Sequence, residues 1–229
     1  SGSRFEARRD ELGPDFTGKW LLEGKTQYPG LLAMGGRKYQ IHGNIIRPSE
    51  ENAEPGHGYM GIAYWVDVTE YDDIRIKYED SRPVIATIVI DNYDELVKNH
   101  PDRIKNDLRD AVEDAISQWC DGKDGFLRRY DRDRYVFIFE EHWLPAMKAE
   151  KFTLLEQVHS VVSPSGIHAT ISIGVGHDGS GFEEDFQFSS LATEMALSRG
   201  GDQAVVKNRF NFEFFGGLGH EIETRTKVK

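Results

Sequence analysis

The stretch VIATIVI, Val84–Ile90, constrains the fold more than any other part of the chain. It carries no charge, and every residue except Ala86 is β-branched, which favours strand over helix. The apolar residues are continuous rather than alternating, so a sheet with one wet face does not suit it. The run is also too short for a helix that crosses a core. It reads as a central strand buried on both faces, which requires packed layers above and below.

The segments that follow supply those layers. Helical periodicity covers Asp94–His100 and then Asp102 to about Cys120, where Ile104, Leu108, Ala111, Val112, Ala115, Ile116 and Trp119 share a face. A hairpin follows: Gly125–Tyr130, a tight turn at Asp131–Asp133, and Arg134–Glu140. Residues Leu144–Val162 read as helix broken near Glu150–Lys151, His168–Gly176 as strand and Phe186–Ser198 as helix. Gln203–Lys207 and Phe210–Phe215 read as short strands. The order β-α-α-β-β-α-β-α-β from residue 84 predicts an α+β fold, a ferredoxin-like sandwich with added elements.

Upstream, residues 1–30 are weakly patterned, and Gly13, Pro14, Gly18, Gly24 and Gly30 interrupt any long helix. Strands are expected at Arg37–Pro48 and Tyr59–Thr69, around the polar loop Ser49–Gly58. Thr69 is placed to cap a helix, with Asp72 three residues on as in a capping box. Tyr71, Ile74 and Tyr78 share one face of that helix. It reads either as a surface helix packed on its neighbour or as a signalling helix between two domains. Ser81-Arg82-Pro83 marks the boundary.

The 229 residues carry a formal net charge of −11, which disfavours non-specific binding to duplex nucleic acid. Cys120 stands alone, so neither an internal disulfide nor a cysteine zinc site can form. No apolar run reaches the roughly 18 residues of a membrane-spanning helix. Ser1-Gly2-Ser3 reads as an expression remnant, so the chain reads as a piece of a longer protein.

Four strings in this order resemble the GGDEF fold of nucleotidyl cyclases: IVIDNYDELV (Ile88–Val97), LRRYDRDRYVFIF (Leu127–Phe139), ATISIGVG (Ala169–Gly176) and LATEMALSRGGDQAVV (Leu191–Val206). Gly200-Gly201-Asp202 comes too late to be the signature and reads as a helix end. The signature position is Asp131–Tyr135. There Asp131 and Arg132 replace two glycines that let a backbone approach a nucleotide. Asp133 keeps a metal-ligand position, but its strand partner aligns with Val89, and Asp91 falls two residues on. Valine cannot ligate one of the two divalent ions that such chemistry uses, so diguanylate cyclase activity is not expected.

With FFGG (Phe214–Gly217), TRTKVK (Thr224–Lys229) and YWVDVTEYDDIRIKYED (Tyr64–Asp80), the chain is similar to one group. These are bacterial cyclic-di-AMP phosphodiesterases with two membrane helices, a PAS domain, a degenerate GGDEF domain and a DHH-type hydrolase module. The resemblance implies a partial PAS-like sensor segment with its exit helix over residues 1–80, and a degenerate GGDEF domain over 81–217. Residues 218–229 would lead toward a hydrolase module of the same polypeptide, which binds Mn²⁺ and is absent from this sequence. It implies a homodimer on the cytoplasmic side of the membrane. It also implies a regulatory role, with weak Mg²⁺-dependent ATP hydrolysis or pure dimerisation as alternatives. The candidate nucleotide contacts are Asp91, Asn92, Arg129, Arg132, Arg199 and Lys207; the candidate metal ligands are Asp91 and Asp133. Each also has a plain structural reading. Asp91 and Asn92 could cap the next helix, Asp133 could shape a turn, and the arginines could pair with nearby acids. Haem binding by the PAS domain is a further family property. His42 and His57 read as surface residues because half a PAS domain cannot enclose a haem.

Overall fold

The computed structural model describes residues 18–46 and 60–216. The chain divides into two compact units on either side of the Tyr78–Glu79 bond.

The first unit contains α1 (Lys19–Leu22), β1 (Gln27–Met34), β2 (Arg37–Ile46) and β3 (Met60–Asp67), followed by α2 (Thr69–Asp80). The strands form an antiparallel sheet in the order β1-β2-β3. Trp20 of α1 is buried close to Gly43, where a Cβ would lie 2.8 Å from Ile62 O and 3.0 Å from the Trp20 ring. Glycine at 43 therefore permits this packing. The first half of strand β1 falls within the weakly patterned residues 1–30. This is an edge strand whose register shifts between Gln27 and Leu31, and an irregular edge accommodates Pro29 and Gly30 while erasing alternation.

The start of α2 also differs from expectation. Asp67, not Thr69, holds the first helical amide: its Oδ1 accepts the Thr69 N–H at 3.1 Å and the Thr69 hydroxyl at 2.6 Å. The Thr69 hydroxyl oxygen accepts the Lys38 N–H instead. Asp72 binds Lys38 Nζ at 2.6 Å and Arg75 Nη2 at 2.7 Å, and these cations hold its carboxyl below the usual range. Tyr71, Ile74 and Tyr78 are turned outward. His42 stacks on Tyr64, and His57 lies outside the described residues.

The second unit runs β4 (Pro83–Ile90), α3 (Tyr93–Val97), α4 (Asp102–Cys120), β5 (Phe126–Asp131), β6 (Arg134–Glu140), a 3₁₀ turn at Glu141–Trp143, α5 (Leu144–Ala149), α6 (Leu154–His159), β7 (Ile171–Gly176), α7 (Phe182–Ser198), β8 (Gln203–Lys207) and β9 (Phe212–Gly216). The sheet order is β5-β6-β4-β7-β8-β9. Strand β4 lies between β6 and β7, antiparallel to both, while β5 pairs outside β6. This is the split β-α-β arrangement of a ferredoxin-like α+β sandwich, extended by β8 parallel to β7 and by β9.

Every residue of β4 after Pro83 is buried. Val84, Ala86, Ile88 and Ile90 join a core with Leu108, Val112, Ile116 and Trp119 of α4. Trp119 meets Phe137 and Phe152 at ring distances of 6.1 and 6.3 Å. Burying such a side chain contributes roughly 1.5–3 kcal/mol. Ala111, placed on this face from its spacing, is exposed. Cys120 is buried, and its thiol is pushed up to about 12, so it stays protonated at neutral pH.

The other sheet face carries α7. Thr87 and Ser189 hydroxyls lie 2.8 Å apart, and Ser189 Oγ also donates to Gly174 O. Gly174 and Gly176 bring the helix directly onto β7, because a Cβ on Gly176 would overlap Asp185 O and Ser189 N. Helix α7 begins four residues earlier than its apolar spacing indicated. Its first turn is acidic, with Glu183, Glu184 and Asp185 near the positive end of the helix dipole, and the residue that turn buries is Asp185, whose Oδ1 accepts the Gly179 N–H at 2.7 Å, so no apolar residue marks the packed face there.

The break between α5 and α6 falls where expected. Lys151 and Phe152 both adopt φ of 54°, and Phe152 is fully buried, so packing holds a conformation that phenylalanine otherwise avoids. The ordering of α7, β8 and β9 then fixes which candidate residues can meet.

Candidate functional site

The carboxyl end of β4 is enclosed by two other segments. The Ile90 N–H donates to Asp133 O of the hairpin turn, and the Asp91 N–H donates to Thr170 O just before β7, both at 2.9 Å. The chain following β4 is thus held between the β5–β6 turn and the start of β7.

Asp91 points to the α7 side of the sheet. Its Oδ2 accepts the Asp202 N–H at 2.8 Å, fastening the loop after α7 to β4. The fit is close: a Cβ on Gly201 would come within 2.6 Å of Asp91 Oδ2, and Gly201 has φ of +75°. Gly200 and Gly201 both terminate α7 in the left-handed region, as expected. Burial pushes the Asp91 carboxyl up, while the Asp202 N–H and nearby Ser172 hydroxyl partly counter it. Its Oδ1 is buried and has no firm hydrogen bond among the described residues.

Asn92 is also occupied structurally. Its Nδ2 donates to His168 O at 2.7 Å and its Oδ1 accepts the Thr170 N–H at 3.1 Å. It does not cap α3 through its side chain. Asn92 instead continues the sheet beyond β4 by replacing a pair of ladder hydrogen bonds.

The hairpin turn is braced from within. Arg129 Nε donates to Asp131 O at 3.0 Å, and Arg129 Nη2 donates to Arg132 O at 2.7 Å. Asp131 Oδ1 accepts the Arg132 N–H at 2.6 Å. Arg132 turns toward α3, where it meets Asp94 at 2.8 Å and lies 5.0 Å over the Tyr93 ring. Behind it, Arg129 lies 5.9 Å over Tyr135. Tyr135 is 1% exposed, and its buried hydroxyl has no hydrogen-bond partner among the described residues. Burial pushes that phenol up. The Tyr93–Arg132 and Arg129–Tyr135 pairs were not anticipated; for the second, the hairpin register that sets Tyr135 opposite Arg129 was the available signal.

Arg199 lies at the same end of the sheet. It donates to Gln203 Oε1 at 3.3 Å and sits 4.5 Å over Phe214. Lys207 does not join this group. Strand β8 runs from Gln203, near Asp202 and Asp91, to Lys207 beside Gly176. Its ammonium lies between Phe188 and Phe212, at 4.4 and 4.7 Å. The candidate set therefore separates by strand direction into one end holding Asp91, Asn92, Arg129, Arg132, Asp133 and Arg199, and an opposite end holding Lys207.

The residues fit a two-ion carboxylate centre poorly. Val89 is buried and pairs with Arg134, while Asp91 is directed to Asp202. Among the described residues no group of three or more His, Cys, Asp or Glu could hold a metal ion. What the turn does offer is the exposed Arg132 guanidinium beside the Tyr93 ring, an arrangement suited to phosphate.

The model of the family "Cyclic-di-AMP phosphodiesterase GdpP-like, GGDEF domain" matches residues 88–214, more than half of the chain. The cyclic-di-AMP phosphodiesterase GdpP of Geobacillus thermodenitrificans is 32% identical over 174 residues, covering 76% of this chain and 26% of that protein. The cyclic-di-AMP phosphodiesterase PdeA of Listeria monocytogenes is 28% identical over 221 residues, covering 96% of this chain and 32% of its own length. The chain thus spans about a fifth to a third of the length of the curated relatives it matches. Among solved structures, the active GGEEF domain of a Vibrio cholerae diguanylate cyclase aligns with a TM-score of 0.48 and 13% identity, over 59% of this chain and 89% of that one. The match across the β4–β9 region identifies the chain as a member of the GdpP-like GGDEF-domain family of cyclic-di-AMP phosphodiesterases.

Proposed function

We propose that this chain is the regulatory region of a cyclic-di-AMP phosphodiesterase, in which a GGDEF domain without cyclase chemistry follows a partial PAS-like sensor. One observation carries the reading: the turn that would receive a nucleotide is laced by Arg129, and the adjacent strand offers Val89 where a metal ligand is needed. In the parent polypeptide the sensor would stand on the cytoplasmic side of the membrane, and a Mn²⁺-dependent hydrolase module would follow. No helix among the described residues is long and apolar enough to cross a membrane.

With GTP and Mg²⁺, the purified chain is expected to make no cyclic-di-GMP above a no-protein control, read by chromatography of the reaction. Appreciable synthesis would defeat the proposal.

Weak nucleotide binding is a second reading, favoured by the Arg132–Asp94 pair. Both partners are largely exposed, so their mutual attraction is worth at most about 1 kcal/mol, and Arg132 could turn to a phosphate at little cost. Mg²⁺ would then arrive with ATP, held by the phosphates and Asp133. Titration with Mg²⁺–ATP is expected to shift backbone NMR signals at Tyr93 and Arg132. Any slow phosphate release should fall in Asp133→Ala. Signals that do not move, with equal background release from both proteins, would remove this reading.

A further inference from the structure

The face formed by α7 and β9 is not explained by the GGDEF site. Phe188, Leu191 and Met195 occupy one stripe of α7 by their helical spacing. Lys207, stacked between Phe188 and Phe212, places that stripe beside β9. Phe212 and Phe214 lie along β9, their rings 6.5 Å apart, half-buried on Ala192, Ala196 and Val205. Leu191 and Met195 remain 47% and 36% exposed. At the β8–β9 turn, Asn208 Oδ1 accepts the N–H groups of Phe210 and Asn211, so Phe210 is presented in a defined turn while 85% exposed.

This groove lies at a sheet edge, since β9 pairs with β8 alone. Its register is regular, and it carries neither the bulge, the proline nor the outward lysine that normally blunts an edge. Glu213 is engaged with Lys148. A regular edge of this kind, flanked by aromatic residues, is normally covered.

Charge selects what covers it. Lys207 and Arg209 rim one end and Arg199 the other, with Glu184 4.0 Å from Arg209, on a chain whose net charge is −11. Antiparallel pairing with β9 of a second copy would set Lys207 and Arg209 of one chain against Arg199 of the other, a like-charge contact. The tail Gly217–Lys229 carries His220, Arg225, Lys227 and Lys229 against Glu221 and Glu223, so it does not complement the rim either.

We propose that the α7–β9 groove docks an acidic, apolar-bearing segment of the hydrolase portion of the same polypeptide. This rests on the regulatory reading above. The chain leaves β9 at Gly216, so the polypeptide that follows starts beside the groove, at high effective concentration. The matched relatives are three to four times longer than the span they share with this chain, which leaves ample polypeptide to supply the segment.

The test is photo-crosslinking in the full-length phosphodiesterase that contains this region, with a benzophenone amino acid at Leu191 or Met195. A control probe replaces Phe126, which is exposed on the opposite edge strand β5. Cross-linked peptides are mapped by mass spectrometry. The Leu191 or Met195 probe is expected to join a carboxylate-rich segment of the hydrolase portion, and the Phe126 probe is not. Arg199→Glu with Arg209→Glu is expected to lower the yield roughly tenfold while far-ultraviolet circular dichroism stays unchanged. Links from the Leu191 or Met195 probe to a second copy, to lipid or to an unrelated protein in place of the hydrolase portion would overturn the proposal, as would equal links from the Phe126 probe or folded protein giving no links. Cyclic-di-AMP hydrolysis is followed in the same preparation: its absence counts against the regulatory reading, whereas hydrolysis without the expected links counts against the docking alone.

Discussion

Gly176→Ala is expected to lose at least about 3 kcal/mol of stability or to fail to fold. The added methyl group would overlap the backbone at Asp185 and Ser189, where α7 lies on β7. Backbone cannot rotate away as a flexible side chain can. Moving α7 would also separate Thr87 from Ser189 and disturb the helix that covers β4. Gly174→Ala should behave similarly, since its Cβ would meet Thr193 Oγ1 and Ser189 O. Gly181→Ala is the control: it has open space and no left-handed φ, so a change within about 1 kcal/mol is expected. Urea unfolding followed by tryptophan fluorescence measures all three. A Gly176→Ala midpoint equal to that of the native chain would refute the close-packing account.

The second large effect concerns Asp91, where two substitutions should diverge. Asp91→Ala removes the acceptor for the Asp202 N–H and is expected to cost about 2 kcal/mol. Asp91→Asn retains an acceptor and adds a donor near Ser172, so it should be neutral or stabilising at pH 7. The pH dependence gives the sign. The folded carboxyl is held above its ordinary value of 3.8 by burial, so the native state binds the proton more tightly than the unfolded state. The Asp91 contribution to stability therefore falls as pH rises from about 3.8 through the folded value, and stays lower above it. Asp91→Asn should remove this component of the slope. Unfolding free energies from pH 4 to pH 8 test it. Asp91→Asn as damaging as Asp91→Ala would mean that the negative charge itself is needed, as a cation site would require.

How much was legible in advance depended on whether a residue's environment was local. The ends of α4 and β8 matched their sequence patterns, and β4 began one residue early at Pro83, because an unbroken apolar period or run leaves few alternatives. Strand β1 was missed because an irregular edge strand does not need alternation. The cap of α2 was misassigned because Asp67 and Thr69 are both suitable residues, and the choice is made by Lys38, which comes from β2.

The candidate site was legible in composition but not in assembly. Asp91 is engaged by Asp202, far along the chain, and no short-range spacing signals that contact. Grouping Lys207 with Arg199 followed their closeness in sequence, whereas an extended strand carries the lysine away at roughly 3.3 Å per residue. The occupied state of Arg129 was likewise hidden, since its acceptors are backbone carbonyls that any sequence would provide.

The position of β4 has a kinetic consequence. Its partners are Arg134 for Val89 and Ile171 for Ile90, so the sheet's centre cannot form from neighbouring chain. Both closures must be completed before the most apolar strand is shielded, which makes folding slow relative to a helical bundle of similar size. Until β7 arrives, one side of that strand is an unpaired template for other chains, so nascent or truncated protein ending before Ile171 should depend on chaperones to avoid aggregation.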